Sequence, residues 1–176
     1  MLQLFLLRHA KAEAAAPSGK DHDRRLAPAG RADAQRMGAY LERHAIRADR
    51  TVLSTAARVQ ETWAAIAPAL SRSPATVSEP RLFNASVMDI LDVIRAQSDQ
   101  TQSVMLVGHN PGLHDTTTLL LASGDAQTRE KLREGLPTTG LVAITLVGTS
   151  SWRNVRPQSA RLDRFIAPRD LVTATE

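Results

Sequence analysis

The chain has no cysteine, which excludes disulfides, thiolate nucleophiles and cysteine-ligated metals. Aromatic residues are scarce, with one Tyr, two Trp and three Phe, so nucleobases would find little to stack on. Lysine is nearly missing as well, because only Lys11, Lys20 and Lys131 accompany the arginines. There is no P-loop and no glycine-rich dinucleotide fingerprint, so nothing signals a nucleotide cofactor. No apolar run approaches the length of a membrane span. The N-terminal run is too short for a signal-peptide core and lacks a basic stretch before it. A cytoplasmic protein with no membrane partner is expected, and the absence of cysteine suits a reducing compartment.

What is present describes an ordinary globular chain. Its 176 residues are 43% hydrophobic and 23% charged, which suits one domain spanning residues 1–176 with a core large enough to be stable alone. A net charge of +4 and a pI near 10.3 invite a nucleic-acid partner. The basic residues, however, are interleaved with acids, as in Lys20-Asp21-His22-Asp23-Arg24-Arg25. That pattern makes a solvated surface of mixed sign rather than a basic stripe, so no nucleic-acid partner is expected.

Strand and helix patterns alternate along the chain. Leu2–Leu7 is almost unbroken apolar sequence, as in a strand buried on both faces. Residues 10–27 form a long charged loop, and long loops are often functional. Pro28 suits a first helical turn, and Ala34, Met37, Leu41 and Ala45 put an apolar stripe along Gly30–His44. Thr51–Ser54 reads as a strand, followed by a helix from about Ala56 to Leu70 capped by Ser54 or Thr55. Ala75–Ser78 reads as a third strand, Val87–Gln97 as a helix and Ser103–Val107 as a fourth strand. The next helix, with Asn110 as cap and Pro111 at its first position, is expected to run through Leu121. A short helix over Thr128–Glu134 leads to the strand Leu141–Val147. The hairpin-like remainder holds Trp152–Val155 and Arg161–Ile166, with a polar tail from about residue 168. The predicted fold class is α/β, one βαβ-rich domain with a mostly parallel central sheet.

Two of the most apolar strands each end in a histidine, His9 and His109. If both strands are central and parallel, the two imidazoles emerge at one sheet edge, where open α/β sheets place their ligands. Arg8 belongs to that edge by sequence, and Arg58 reaches it from the first turn of the second helix. Two histidines and two arginines near helix N-termini describe a pocket for a multiply charged oxyanion, since guanidinium forks match phosphate oxygens. A neutral imidazole there can attack phosphorus directly and form a phosphohistidine that water later hydrolyses. The other cationic groups would hold the equatorial oxygens, where charge accumulates during transfer. No metal is required, and His9 and His109 lack the further ligands a metal site would need.

Arg8-His9-Ala10, the run Ser54-Thr55-Ala56-Ala57-Arg58-Val59-Gln60-Glu61-Thr62 and Gly108-His109-Asn110-Pro111 resemble the histidine phosphatase superfamily. Asp23–Gly30 and Leu82-Phe83-Asn84-Ala85 add to the likeness, which covers residues 2 to about 147 and favours the small SixA-like phosphohistidine phosphatase branch. The resemblance implies a phosphoglycerate mutase-like fold, in three layers with helices on both faces of the sheet, no cofactor, His9 as the phosphorylated nucleophile, and Arg8, Arg58 and His109 completing the phosphate pocket. His22, Asn84 and Asn110 are further candidates for substrate contact.

One departure bears on the substrate. Relatives that cleave phosphate monoesters carry a carboxylate general acid in a Pro-x-Leu-x-Glu pattern, and this chain reads Pro80-Arg81-Leu82-Phe83-Asn84. An amide cannot protonate an alkoxide, whereas the imidazole of a phosphohistidine leaves with less help. The interval from Arg58 to His109 is too short for the capping insertion of mutase relatives, so an open pocket is expected. A phosphohistidine-bearing protein is the expected substrate. A small phosphorylated molecule, cleaved by the same mechanism, and a non-catalytic phosphate-binding module are the alternatives. Glu13, Asp21, Glu79 and Asp89 remain as other sources of an acid.

Overall fold

The computed structural model describes residues 1–172. Thirteen regular elements follow in order: β1 Gln3–Arg8, α1 Pro28–Arg43, β2 Arg50–Leu53, α2 Ala57–Ile66, β3 Ala75–Ser78, α3 Val87–Arg95, β4 Ser103–Gly108, α4 Gly112–Leu120, β5 Leu121–Gly124, α5 Ala126–Arg133, β6 Leu141–Leu146, β7 Ala160–Ile166 and α6 Pro168–Val172. The strands form one sheet in the order β3-β2-β4-β1-β6-β7-β5. Pairs β1–β4, β2–β3, β2–β4 and β5–β7 are parallel, whereas β6 runs antiparallel to both β1 and β7.

The apolar runs are explained by position. β1 and β4 lie side by side at the centre, covered on both faces, so neither strand has a side that tolerates polar residues. Leu4 and Leu6 of β1 pack with Ile90 and Ile94 of α3 and Leu113 and Leu120 of α4. Phe5 and Leu7 point the other way, onto Met37 and Leu41 of α1, Val59 and Trp63 of α2, and Leu171 of α6. Alternation along one strand thus feeds two cores, and the molecule has three layers. Each buried leucine contributes about 1.5–3 kcal/mol relative to exposure, which holds the end of β1 at a defined place. No helix among the described residues is long and apolar enough to cross a membrane.

Several expected boundaries shift, each for a tertiary reason. α4 stops at Leu120, and Leu121–Gly124 instead forms an edge strand because β7 arrives to pair with it. Trp152–Val155 is not a strand. A 3-10 turn over Trp152–Asn154 forms there, because Asp99 accepts from the Trp152 amide and the Thr101 carbonyl accepts from its indole. The supposed polar tail contains α6, whose Leu171 is buried against α1; residues 173–176 lie outside the described residues. α1 ends at Arg43, so Ala45 is not part of its stripe but is exposed in the left-handed region, at φ 51°.

The long segment between β1 and α1 is a loop closed at its neck. Ala12 bridges Leu26, the Glu13 amide donates to the Arg25 carbonyl at 2.8 Å, and the Ala27 amide donates to Lys11 at 3.0 Å. Glu61 of α2 accepts from the Leu26 amide at 2.8 Å. Gly30, in the first turn of α1, lies directly against this neck, and a β-carbon there would overlap the Lys11 carbonyl. Glycine is required at this position by close approach rather than by an unusual backbone angle.

Candidate active site

Register brings the two histidines together. Arg8 of β1 is paired with Gly108 of β4, so His9 and His109 leave the sheet side by side, and the His9 amide donates to the Gly108 carbonyl at 3.0 Å. Their ring centroids are 5.2 Å apart. β2 flanks β4 on its other side, and its continuation places Ser54 Oγ 2.8 Å from His109 Nε2. Arg58, only 4% exposed, stands in the first turn of α2. Arg8, His9, Arg58 and His109 therefore meet at the carboxyl ends of β1, β4 and β2, the edge expected from the strand pattern.

Hydrogen bonding decides the state of His9. Its Nδ1 lies 2.8 Å from the Ala10 carbonyl oxygen, which can only accept. The ring proton therefore sits on Nδ1, and Nε2 carries a lone pair with no protein partner. Burial, opposed by the Ala10 bond and reinforced by Arg58 and Arg8, pushes the His9 pKa down to about 4. Near neutral pH it is an unprotonated imidazole of fixed tautomer. The Ala10 amide donates to Thr62 Oγ1 at 3.0 Å, and Thr62 donates to the Arg58 carbonyl at 2.6 Å, so the turn after His9 is tied to α2.

His109 is arranged differently. Burial, with His9 and Arg58 adding to it, lowers its pKa to about 3. Ser54 Oγ, 2.8 Å from His109 Nε2, also accepts from the Ala56 amide at 3.4 Å, which holds the hydroxyl against the ring. His109 Nδ1 is a buried polar atom with no hydrogen-bond partner among the described residues, so this edge of the ring is left for a ligand. Ser54 is thus not the helix cap expected from the sequence; Ala56 occupies that position, and no side chain caps α2. Asn110 is not a cap either. Pro111 precedes α4, and the Asn110 amide instead donates to the Leu136 carbonyl at 2.8 Å, while its Oδ1 is buried and unpaired.

The two arginines have different partners. Arg8 donates to the Leu136 carbonyl at 3.0 Å, and its Nε is buried without a partner. Arg58 donates to the Asp21 carbonyl at 2.7 Å and to the Asp21 carboxylate at 3.0 Å. Arg24 binds the same carboxylate, and with Arg58 it lowers the Asp21 pKa below the usual carboxylate range. A cleft of about 550 Å³ opens beside Arg8 and Asn110, bounded by Leu136, Pro137 and Phe165.

The remaining candidates separate clearly. His22 comes to the site: its Nε2 is 3.0 Å from Thr55 Oγ1, and its ring meets Phe83 edge-on at 4.9 Å. Phe83 in turn meets His109 edge-on at 5.6 Å. Asn84 is exposed, makes no side-chain hydrogen bond, and adopts a left-handed backbone at φ 50°, a conformation asparagine tolerates better than most residues. Among the other acids, Glu79 is clamped by Arg81, and Asp89 closes the capping box of α3. Of the four acids weighed, Asp21 is the one that makes side-chain contact with the four clustered residues. His114 lies elsewhere and joins α4 to the Leu132 carbonyl.

Gln60, Glu61 and Thr62 have no role assigned from sequence, and Ser54 only that of a helix cap, yet each braces the site. Gln60 donates to the Ser54 carbonyl at 2.8 Å, and Glu61 holds the loop neck. Their signal was the unbroken motif around Arg58. Phe83 lies in the Leu82–Ala85 match without a role of its own, and the Leu136 carbonyl carries no sequence signal.

A scan against family models matches residues 4–90 to the histidine phosphatase superfamily, branch 1. An uncharacterized protein of Mycobacterium tuberculosis is 32% identical over 166 residues, covering 93% of this chain and 100% of the relative. Among solved structures, a candidate phosphohistidine phosphatase SixA from Agrobacterium tumefaciens superposes with a TM-score of 0.79 at 35% identity, over 95% of this chain and 98% of that one. A second, from Nakamurella multipartita, gives 0.80 at 27% identity, over 95% and 96%. Sequence motifs, strand order and whole-chain superposition converge, and the chain belongs to the histidine phosphatase superfamily.

Proposed function

We propose that this protein is a phosphatase that acts through a covalent phosphohistidine on His9, with phosphohistidine in a protein partner as its substrate. The observation that carries this reading is the state of His9. It is neutral, its proton is fixed on Nδ1 by the Ala10 carbonyl, and its Nε2 lone pair lies among Arg8, Arg58 and His109. That is an activated nucleophile in an anion pocket. The guanidiniums of Arg8 and Arg58 and the Nδ1–H of His109 supply donors for the three equatorial oxygens, stabilising charge as the phosphoryl group moves. Nε2 attacks phosphorus, the leaving group departs with its bonding pair, and water then hydrolyses phospho-His9.

Two observations favour phosphohistidine over an alkyl phosphate. The chain has Asn84 where relatives carry an acid, and Asp21, the acid that does reach the pocket, is held as a carboxylate by Arg24 and Arg58. The superposed A. tumefaciens structure is itself a candidate phosphohistidine phosphatase.

The test is a rapid alkaline quench after mixing the enzyme with a phosphohistidine protein. A phosphoryl mass gain on the peptide bearing His9 is expected, absent in His9→Asn, whose turnover falls by about 10⁴-fold or more. No adduct in either wild type or a His109→Ala trap would sink the covalent mechanism.

A further inference from the structure

We propose that His22 is the proton donor of this site, standing in for the carboxylic acid that Asn84 cannot replace. The inference rests on the phosphatase reading above. In-line attack by His9 puts the leaving atom beyond phosphorus, on the side away from the pocket floor. A donor to that atom therefore belongs at the rim. His22 is such a residue: its side chain is 41% exposed, and it sits one ring beyond His109 along the His109–Phe83–His22 series. Its chain neighbour Asp21 grips Arg58, which fixes the rim turn to the same guanidinium that would hold the phosphoryl group. Asp23 Oδ1 lies 3.4 Å from His22 Nδ1, so the Nδ1 edge of the ring faces an acceptor of its own and the Nε2 edge is the one left to meet a substrate. That edge faces Thr55 Oγ1, a neutral hydroxyl that a substrate atom can replace at small cost.

The chemistry of a phosphohistidine substrate suits this donor. The lone pair of His9 Nε2 forms the new P–N bond while the P–N bond of the substrate breaks. The bonding pair stays on the leaving nitrogen, which takes the proton from His22 Nε2. Both the product imidazole and His22 end neutral. Without that proton the nitrogen would depart as an imidazolate, a much stronger base than the imidazole left on His22, so the transfer runs downhill as the P–N bond breaks and spares the leaving group its charge.

The experiment measures the first half of the reaction alone, as formation of phospho-His9 in a single turnover. Phosphoimidazole, whose leaving nitrogen needs a proton, is compared with p-nitrophenyl phosphate, whose phenolate leaves unaided. His22→Gln keeps a polar group of similar reach beside Thr55 and Phe83, and His22→Ala removes it. Both variants are expected to slow labelling from phosphoimidazole on the order of 10²-fold, and labelling from p-nitrophenyl phosphate by less than about three-fold. Equal losses on the two substrates would show that His22 merely holds the turn, and no loss on either would show that it does nothing; both results overturn the proposal. If wild-type His9 is labelled by p-nitrophenyl phosphate and not by phosphoimidazole, the phosphohistidine assignment fails instead. The donor is then judged by the same ratio with an alkyl phosphate in place of phosphoimidazole.

Discussion

His9 and His109 are held by the sheet, whereas Asp21 and His22 are held by a loop, and the two halves of the site differ in every supporting interaction. The sheet half hangs from adjacent parallel strands, with backbone pairing up to Arg8 and Gly108 and fully buried leucines behind it. Its histidines are neutral because burial makes protonation costly. The loop half is exposed or half-exposed and charged, and touches the core only through Leu26 at its neck and through Phe83 beside His22. It keeps its place through the neck at Ala12 and Leu26, through Glu61, and through the Asp21–Arg58 ion pair. On the proposed mechanism this division has a reason: a nucleophile and its phosphate donors must be preorganised and would sit on the rigid scaffold, and the rim that meets the leaving group would sit on the loop.

Arg58 is shared by both halves, and replacing it gives the largest expected effect here. Arg58→Lys removes the fork that reaches Asp21 with two nitrogens, and a lysine offers only a point charge. Phosphatase kcat/KM should fall about 10²- to 10³-fold, with faster proteolysis within residues 10–27. An active Arg58→Lys protein with an intact loop would break the division drawn here.

Gly30→Ala isolates the loop half. The added methyl overlaps the Lys11 carbonyl, so the neck must shift while β1 and β4 keep their register. A displacement near 1 Å at the rim should lower kcat/KM by roughly 10- to 100-fold. Urea unfolding should show a loss of about 1–3 kcal/mol, the usual cost of overpacking. Unchanged kinetics with lowered stability would mean that the loop contributes nothing to turnover.

Acid should loosen the halves in order, sheet first. Both site histidines have lowered pKa values, about 4 for His9 and about 3 for His109, against 6.5 for an ordinary imidazole. Between those values the unfolded chain binds more protons than the folded one, so stability is full above pH 6.5 and falls as the pH drops. From pH 6.5 to 4.5 the loss should be on the order of 2 kcal/mol per histidine, visible as a lower urea midpoint. Asp21, whose pKa is lowered by Arg24 and Arg58, stays ionised over that window, and its contribution disappears only as the pH falls through its depressed value. Histidine NMR that showed His9 titrating near 6.5 would contradict this order.

The sequence alone determined the sheet half. Apolar runs of five or six residues bounded by polar sequence are too short for a buried helix and suit a strand covered on both faces, and a polar residue ending such a run emerges at the strand's end. Arg8, His9 and His109 were legible for that reason, and Arg58 by its place one step into the following helix. The fold class followed from the alternation of the same patterns. Tertiary structure decided the rest. No local pattern shows that Asp21 will reach Arg58, 37 positions away, or that His22 will lie against Thr55 and Phe83. Nor does any local pattern show that the Leu136 carbonyl will receive both Arg8 and Asn110. β5, the Trp152 turn and α6 are alike in this: each is short, and each exists because a distant segment supplies its hydrogen bonds or, for α6, buries Leu171. Periodicity encodes which face of an element is buried, and it carries nothing about which polar atom a loop will deliver to another; that is settled only once the chain has closed around its cores.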